Sequence, residues 1–192
     1  MITATQARAG ALALAGTAGG LIATAGALIA TAVPRAVAGP PQFLPITAEW
    51  CLASAGPCLQ LEVPAGDQQY VWGLQQRPPL PPLRGMWFRF SPPSQARFWM
   101  HLTPEPLDML FLRDGRVVAI ESALPCMRLP CRSYGPLEPV DGVVELAAGE
   151  ALRLGLRPGS PATPRLLVGP GRPAAVGPLM APPVSPAAPA RD

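Results

Sequence analysis

The sequence predicts a mainly β domain, a sandwich or barrel of about seven or eight short strands with one or two short helices. Three observations carry this. Residues 98–121, FWMHLTPEPLDMLFLRDGRVVAIE, alternate apolar and polar side chains at the two-residue period of a strand. Two turn signals interrupt that alternation: Thr103-Pro104-Glu105-Pro106 has the composition of a short loop, and Asp114-Gly115 is a strong two-residue hairpin signal. Elsewhere, short strand-like runs are separated by spacers rich in proline and glycine.

If both hairpins close, the facing pairs are 102/107, 101/108 and 100/109 in the first and 112/117, 110/119 and 108/121 in the second. One face then holds Phe98, Met100, Leu102, Leu107, Met109, Phe111, Val118 and Ile120. The other holds Arg97, Trp99, His101, Asp108, Leu110, Leu112, Val117, Ala119 and Glu121. This separation is the pattern of a sheet buried on one side. It sets His101, Asp108 and Glu121 in one row across three strands.

The remaining elements follow in order. Residues 1–38 read as a signal peptide or an N-terminal membrane anchor. Residues 9–33 are an uncharged run of 25, preceded by Arg8 and closed by Pro34-Arg35. Ala36-Val37-Ala38 is a small-residue cleavage pattern, whereas the length of the run suits a retained span. Residues 39–45 form a proline-rich linker, and 46–168 form a single domain. Strands are predicted over 46–52 and 58–63, then a short helix over 68–76 capped by Asp67. Residues 77–83 are a proline-rich loop, with Arg77 and Arg84 at its ends. They resemble a polyproline ligand, but a rigid connection is the simpler reading. A strand over 85–90 leads into the three strands just described. Residues 124–139 read as irregular, 143–146 as a strand, 149–154 as a helical turn or two, and 165–168 as a closing strand. The last stretch, 169–192, is a Pro/Ala-rich tail predicted to be disordered.

All 15 basic residues are arginine, and lysine and asparagine are absent, a bias toward GC-rich codons that weakens any functional reading of arginine or proline content. Formal charge is +3 for the chain, and without residues 1–38 thirteen arginines face twelve acids. A nearly neutral domain has no electrostatic footprint for nucleic acid.

A series of ordered matches is similar to a known family. They comprise Gly85-Met86, Phe98-Trp99-Met100, Thr103, Pro106-Leu107-Asp108-Met109-Leu110-Phe111 and Asp114-Gly115. Pro125-Cys126, Ser133-Tyr134-Gly135, Val144-Glu145-Leu146, Ala148-Gly149 and Leu154-Gly155-Leu156 continue them. Together they resemble the bacterial and archaeal domain of unknown function 192 (DUF192) family over roughly residues 59–160. The resemblance implies a compact, jelly-roll-like antiparallel fold with short helices, often behind an export signal, and no established activity. Three positions depart from the family pattern. His101-Leu102 stands where members usually have Lys-Asn, and Gly159-Ser160 where they have Gly-Asp. The pair Cys51/Cys58 lies at or before the start of the matching region.

Four cysteines in two local groups, Cys51/Cys58 and Cys126/Cys131, favour two disulfides in an exported domain. Their spacing lacks the two-residue knuckle of a zinc site, and neither a metal nor a cofactor is expected. No nucleophile elbow, phosphate loop or dinucleotide fingerprint is present. The leading functional expectation is therefore a non-catalytic, periplasmic or secreted domain that binds a small polar ligand or a cell-envelope partner. Trp99, His101, Asp108, Glu121 and Tyr134 are its candidate ligand-binding residues. One alternative is a hydrolase using His101, Asp108 and Glu121. The other is a structural or accessory envelope protein without a small ligand. Membrane attachment through residues 9–33 is the alternative to cleavage after Ala38.

Overall fold

The computed structural model describes residues 39–53 and 55–167. The expectations for residues 1–38 and for the tail lie outside the described residues. Nine strands and two very short helices follow one another in this part. They are β1 (Ile46–Cys51), β2 (Cys58–Glu62), α1 (Asp67–Trp72), β3 (Arg84–Ser94), β4 (Phe98–Trp99) and β5 (Leu107–Arg113). Then come β6 (Arg116–Ala123), β7 (Ser133–Tyr134), β8 (Val140–Ala147), α2 (Glu150–Arg153) and β9 (Arg165–Leu166). The domain is mainly β, as expected. The cap of α1 is Gly66, and Asp67 is its first helical residue.

Seven strands form one sheet in the order β6-β5-β8-β3-β2-β1-β9, and β4 with β7 makes a separate two-stranded ribbon. The sheet is mixed rather than wholly antiparallel, because β2 and β3 run parallel and are joined through α1. A parallel pair needs such a crossover, since a tight turn returns the chain antiparallel. The sheet curls without closing as a barrel. Beyond α2, Gly159 and Ser160 bond to Val117 near the start of β6, and three residues past Ala162 the chain enters β9 on the opposite edge.

This curl gives the sheet two buried faces. One packs Met86, Phe88, Met109, Phe111 and Val143 against Tyr70 and Leu74 of the α1 crossover. The other packs Trp50, Leu59, Leu61, Leu110, Leu112, Val117, Val144 and Leu146 with Ala151 of α2. Residues Leu107 to Leu112 of β5 are all buried. A sheet with one solvated face, as the alternation predicts, is therefore replaced by one covered on both sides.

Two registers also differ from expectation. The Asp114-Gly115 turn forms with φ of 50° and 72°, the doubly positive geometry that such a pair favours. Leu112 faces Val117 as predicted. A bulge then intervenes: Phe111 faces Ala119, Leu110 faces Ile120 and Asp108 faces Ser122. Val118 is the extra residue and is 42% exposed. One inserted residue moves everything beyond it to the other face. The first predicted hairpin does not form at all. Both edges of β5 are taken, by β6 and β8, and β4 pairs with β7 instead. The Phe98 ring packs edge-on against Phe88 at 4.9 Å and Phe111 at 6.4 Å. That contact lays the ribbon across the sheet as a second layer. Strand β7 had been hidden in a stretch that reads as irregular.

Both expected disulfides are present, Cys51–Cys58 and Cys126–Cys131. The first joins directly facing residues of β1 and β2, and the second closes the loop before β7. Two disulfides indicate an oxidising, extracytoplasmic environment. Among the described residues, no helix is long and apolar enough to cross a membrane.

Gly135, at the end of the ribbon, has φ of 139°, and a Cβ there would collide with the Ala96 carbonyl oxygen. Gly149 also has a positive φ, 82°, but open space around it. Urea unfolding should therefore separate the two. Gly149→Ala is expected to cost about 1 kcal/mol from backbone strain alone. Gly135→Ala should cost clearly more, because main-chain atoms must move. Equal losses would refute the assigned contact.

Candidate functional site

The predicted row of His101, Asp108 and Glu121 does not form, because the bulge at Val118 puts Asp108 and Glu121 on opposite faces. Asp108 faces Leu146 and Ser122. Its Oδ2 accepts the Ala151 N–H at 3.0 Å, and its Oδ1 accepts from the Ser122 hydroxyl at 3.3 Å. Asp108 thus fastens the start of α2 to the sheet, and its carboxylate is spent on that contact. Glu121 faces Met109 and accepts the Gly135 N–H at 2.8 Å, with Arg132 at 3.9 Å.

The other candidates gather around the ribbon. Trp99 faces Ser133 in the β4-β7 pair, and its ring lies 5.2 Å from that of His101. His101 bridges to Cys126. The Tyr134 hydroxyl accepts the Leu124 N–H at 3.0 Å, and the Arg132 guanidinium sits 5.0 Å from the Tyr134 ring centre. Trp99, His101, Glu121 and Tyr134 therefore share one region, and Asp108 is separated from it by the sheet.

A different acidic row runs across the face packed by the α1 crossover. Glu121 of β6 faces Met109 of β5, which faces Glu145 of β8. Glu145 faces Met86 of β3, which is level with Glu62 of β2. Three carboxyl groups thus alternate with two methionines across five adjacent strands. Neighbouring strands lie about 4.8 Å apart, so successive acids are roughly 10 Å apart.

The two outer acids have partners. Glu62 is gripped by both terminal nitrogens of Arg77, at 2.8 and 2.9 Å, and accepts the Leu44 N–H at 2.9 Å. Phe43 covers the Arg77 guanidinium, with its ring centre 4.7 Å away. Glu121 has the Gly135 amide. Glu145 stands between them, 4% exposed, flanked by Met86 and Met109, and no partner accounts for its burial among the described residues. Burial alone pushes its carboxyl up from the ordinary 4.5 to about 8. Burial thus favours the neutral acid, which has one donor and one acceptor to offer. Groups perturbed in this way concentrate at functional sites.

Sequence reasoning places Glu145 in a strand and gives it no role. A signal was present: it is the one charged residue in Val143-Val144-Glu145-Leu146, where period two puts it on the face of buried Val143. Its isolation became visible only once the partners of β8 were known.

Comparisons with known proteins agree with this fold. The family model DUF192, described as Uncharacterized ACR, matches residues 51–163. A solved protein of unknown function from Novosphingobium aromaticivorans is 30% identical, with a TM-score of 0.53 over 62% of this chain and 83% of its own. A Sinorhizobium meliloti protein provisionally named a transcription regulator is 32% identical, with a TM-score of 0.53 over 62% of this chain and 92% of its own. A search of curated proteins returned no match.

The Glu145 carboxyl makes stability depend on pH in a defined direction. Its folded-state value of about 8 lies above the ordinary 4.5, so between these limits the folded chain holds a proton that the unfolded chain has released. Its contribution therefore weakens as pH rises from 4.5 and is fully lost above 8, a change of a few kcal/mol. In urea titrations, the wild type should lose stability over this window relative to Glu145→Gln, which cannot ionise. Parallel profiles would show that Glu145 is already ionised in the folded protein.

Proposed function

We propose that this chain, which belongs to the DUF192 family of uncharacterised proteins, is a non-catalytic binding domain for a small polar ligand. The observation that carries this is the carboxyl of Glu145, 4% exposed and with no cation paired to it among the described residues, at the centre of the acidic row. A neutral carboxyl held among methionines matches a ligand that can both donate and accept a hydrogen bond, such as an amide or a hydroxylated compound. Apolar surroundings supply contact area, and the single polar group supplies orientation. Trp99, His101 and Tyr134 border the same layer through the ribbon, and Glu121 links the row to it.

The row on which the hydrolase alternative rested does not form, since Asp108 and Glu121 lie on opposite faces of the sheet. An exported domain, periplasmic or secreted, is supported by the two disulfides and by the uncharged run over residues 9–33 ahead of a small-residue cleavage pattern. The near balance of arginines and acids after residue 38 supports a partner other than nucleic acid.

Native mass spectrometry of the full chain recovered from its own host tests this reading. The wild type should carry a non-covalent small-molecule adduct. Glu145→Leu, which fills the same space without a polar group, should fold but lose the adduct. An adduct retained by the leucine variant, or none on wild-type protein from its native compartment, would overturn the proposal.

A further inference from the structure

The two disulfides of this chain sit in opposite surroundings. Cys51 and Cys58 face each other across β1 and β2, and a carboxylate oxygen of Glu49 lies within 4.8 Å of both sulfurs. Arg165 shares that carboxylate, but an acid so close still opposes an incoming thiolate and disfavours the one that leaves. Cys126–Cys131 has an imidazole for a neighbour instead. Cys126 pairs with His101 in a parallel bridge. Its N–H donates to the Met100 carbonyl, and its carbonyl accepts the Leu102 N–H. Residues paired in this way point to one face, with their backbones about 4.8 Å apart. The His101 side chain and the Cys126 sulfur therefore share a face, on which the His101 ring rests 5.2 Å from that of Trp99.

The second bridge is open to attack, and its ends are held without it. Met127 and Leu129, inside the closed loop, are 53% and 58% exposed, so a thiol reaches the loop without displacing a core side chain. Cys126 packs against the apolar cluster of the α1 face, which leaves Cys131 as the outer sulfur. Backbone bonds fix Cys126 to the His101 segment. The pairing of Ser133 and Tyr134 with β4, and the Tyr134 hydroxyl on the Leu124 amide, fix the other end. Opening the bridge therefore frees one turn of chain and leaves both thiols placed to close again. The charged groups of the adjoining segments are Glu105, Glu121, Arg128, Arg132 and Glu138. Glu121 is engaged by the Gly135 amide and by Arg132.

We propose that Cys126–Cys131 is a thiol–disulfide exchange site, a stoichiometric acceptor of two electrons from a peptide dithiol, whereas Cys51–Cys58 is structural. One thiolate of the dithiol attacks the Cys131 sulfur. An S–S bond forms there as the Cys126–Cys131 bond breaks, and the electron pair leaves on Cys126. The His101 imidazolium stabilises that thiolate until it takes a proton. The second thiolate of the dithiol then attacks the mixed disulfide and expels Cys131, which is protonated in turn. Two electrons and two protons thus pass from the dithiol to the bridge, and the dithiol departs as a disulfide. The exchange does not involve Glu145, so it stands or falls separately from the ligand reading.

Dithiothreitol is the probe, applied to the full oxidised chain at about pH 6, below the ordinary value of an imidazole. Acid quenching and peptide mapping read both bridges in the same molecules. Cys126–Cys131 should open about ten-fold or more faster than Cys51–Cys58. With 2-mercaptoethanol, which cannot close on itself, the first mixed disulfide should sit on Cys131. An opposite charge about 4–6 Å away lowers a pKa by about one unit or more, which the slopes of this chemistry convert to roughly three-fold in rate. His101→Gln should therefore narrow the ratio of the two opening rates by about three-fold, and His101→Lys, which keeps a cation, should restore it. Equal rates at the two bridges, or a first mixed disulfide on Cys126, would overturn the proposal. So would a ratio that His101→Gln leaves unchanged or that His101→Lys fails to restore.

Discussion

Burial of the central strands on both faces is the constraint from which the rest of the structure follows. β5 and β8 lie between two apolar layers, so a polar side chain on either strand must find a partner or bear the full cost of leaving water. The acids of this sheet sort themselves by that rule. Asp108 takes the Ala151 amide, Glu62 takes Arg77 and Glu121 takes the Gly135 amide. Each of these contacts also joins a flanking segment to the sheet: α2, the crossover and the ribbon respectively. Glu145 makes no such contact, and burial raises its pKa.

The parallel pairing of β2 and β3 creates the acidic row. A hairpin between them would reverse β2 and take Glu62 away from Met86. The crossover does two further things at once. It lays Tyr70 and Leu74 over the face that carries Glu145, and it brings Arg77 onto Glu62. A buried ion pair seldom adds much net stability, yet removing one partner strands the other charge. The Arg77–Glu62 contact therefore acts mainly to specify how the crossover sits, with Phe43 closing over it.

Most of the strands, both disulfides and the geometry of the Asp114-Gly115 turn were legible from local patterns, because each depends on neighbours in sequence. The errors share a cause in long-range packing. Nothing local in Arg116-Val117-Val118-Ala119 announces that Val118 is extruded, since the bulge is decided by which faces β5 presents to two separate cores. Ser133-Tyr134 is too short to show a period, and it is a strand only because Phe98 wedges β4 against Phe88 and Phe111. The candidate site suffered most. A single inserted residue separated Asp108 from Glu121, and Glu145 could not be weighed until its lack of partners was visible.

Leu102 shows how a departure from a family pattern can become physically meaningful. It has φ of 55°, in the left-handed region, and its carbonyl accepts the N–H of Gln76, itself at φ of 56°. Asparagine adopts this conformation far more readily than leucine, which accounts for the Asn that resembling sequences usually place there. In this chain an apolar side chain occupies the strained position. The contact that holds it runs between the segment leading to Arg77 and the segment leading from His101. The two loops that border opposite ends of the acidic row are therefore tied by backbone hydrogen bonding. Leucine is tolerated because the turn is dictated by that tie and by the Cys126 carbonyl, which accepts the Leu102 N–H, rather than by the residue's own preference.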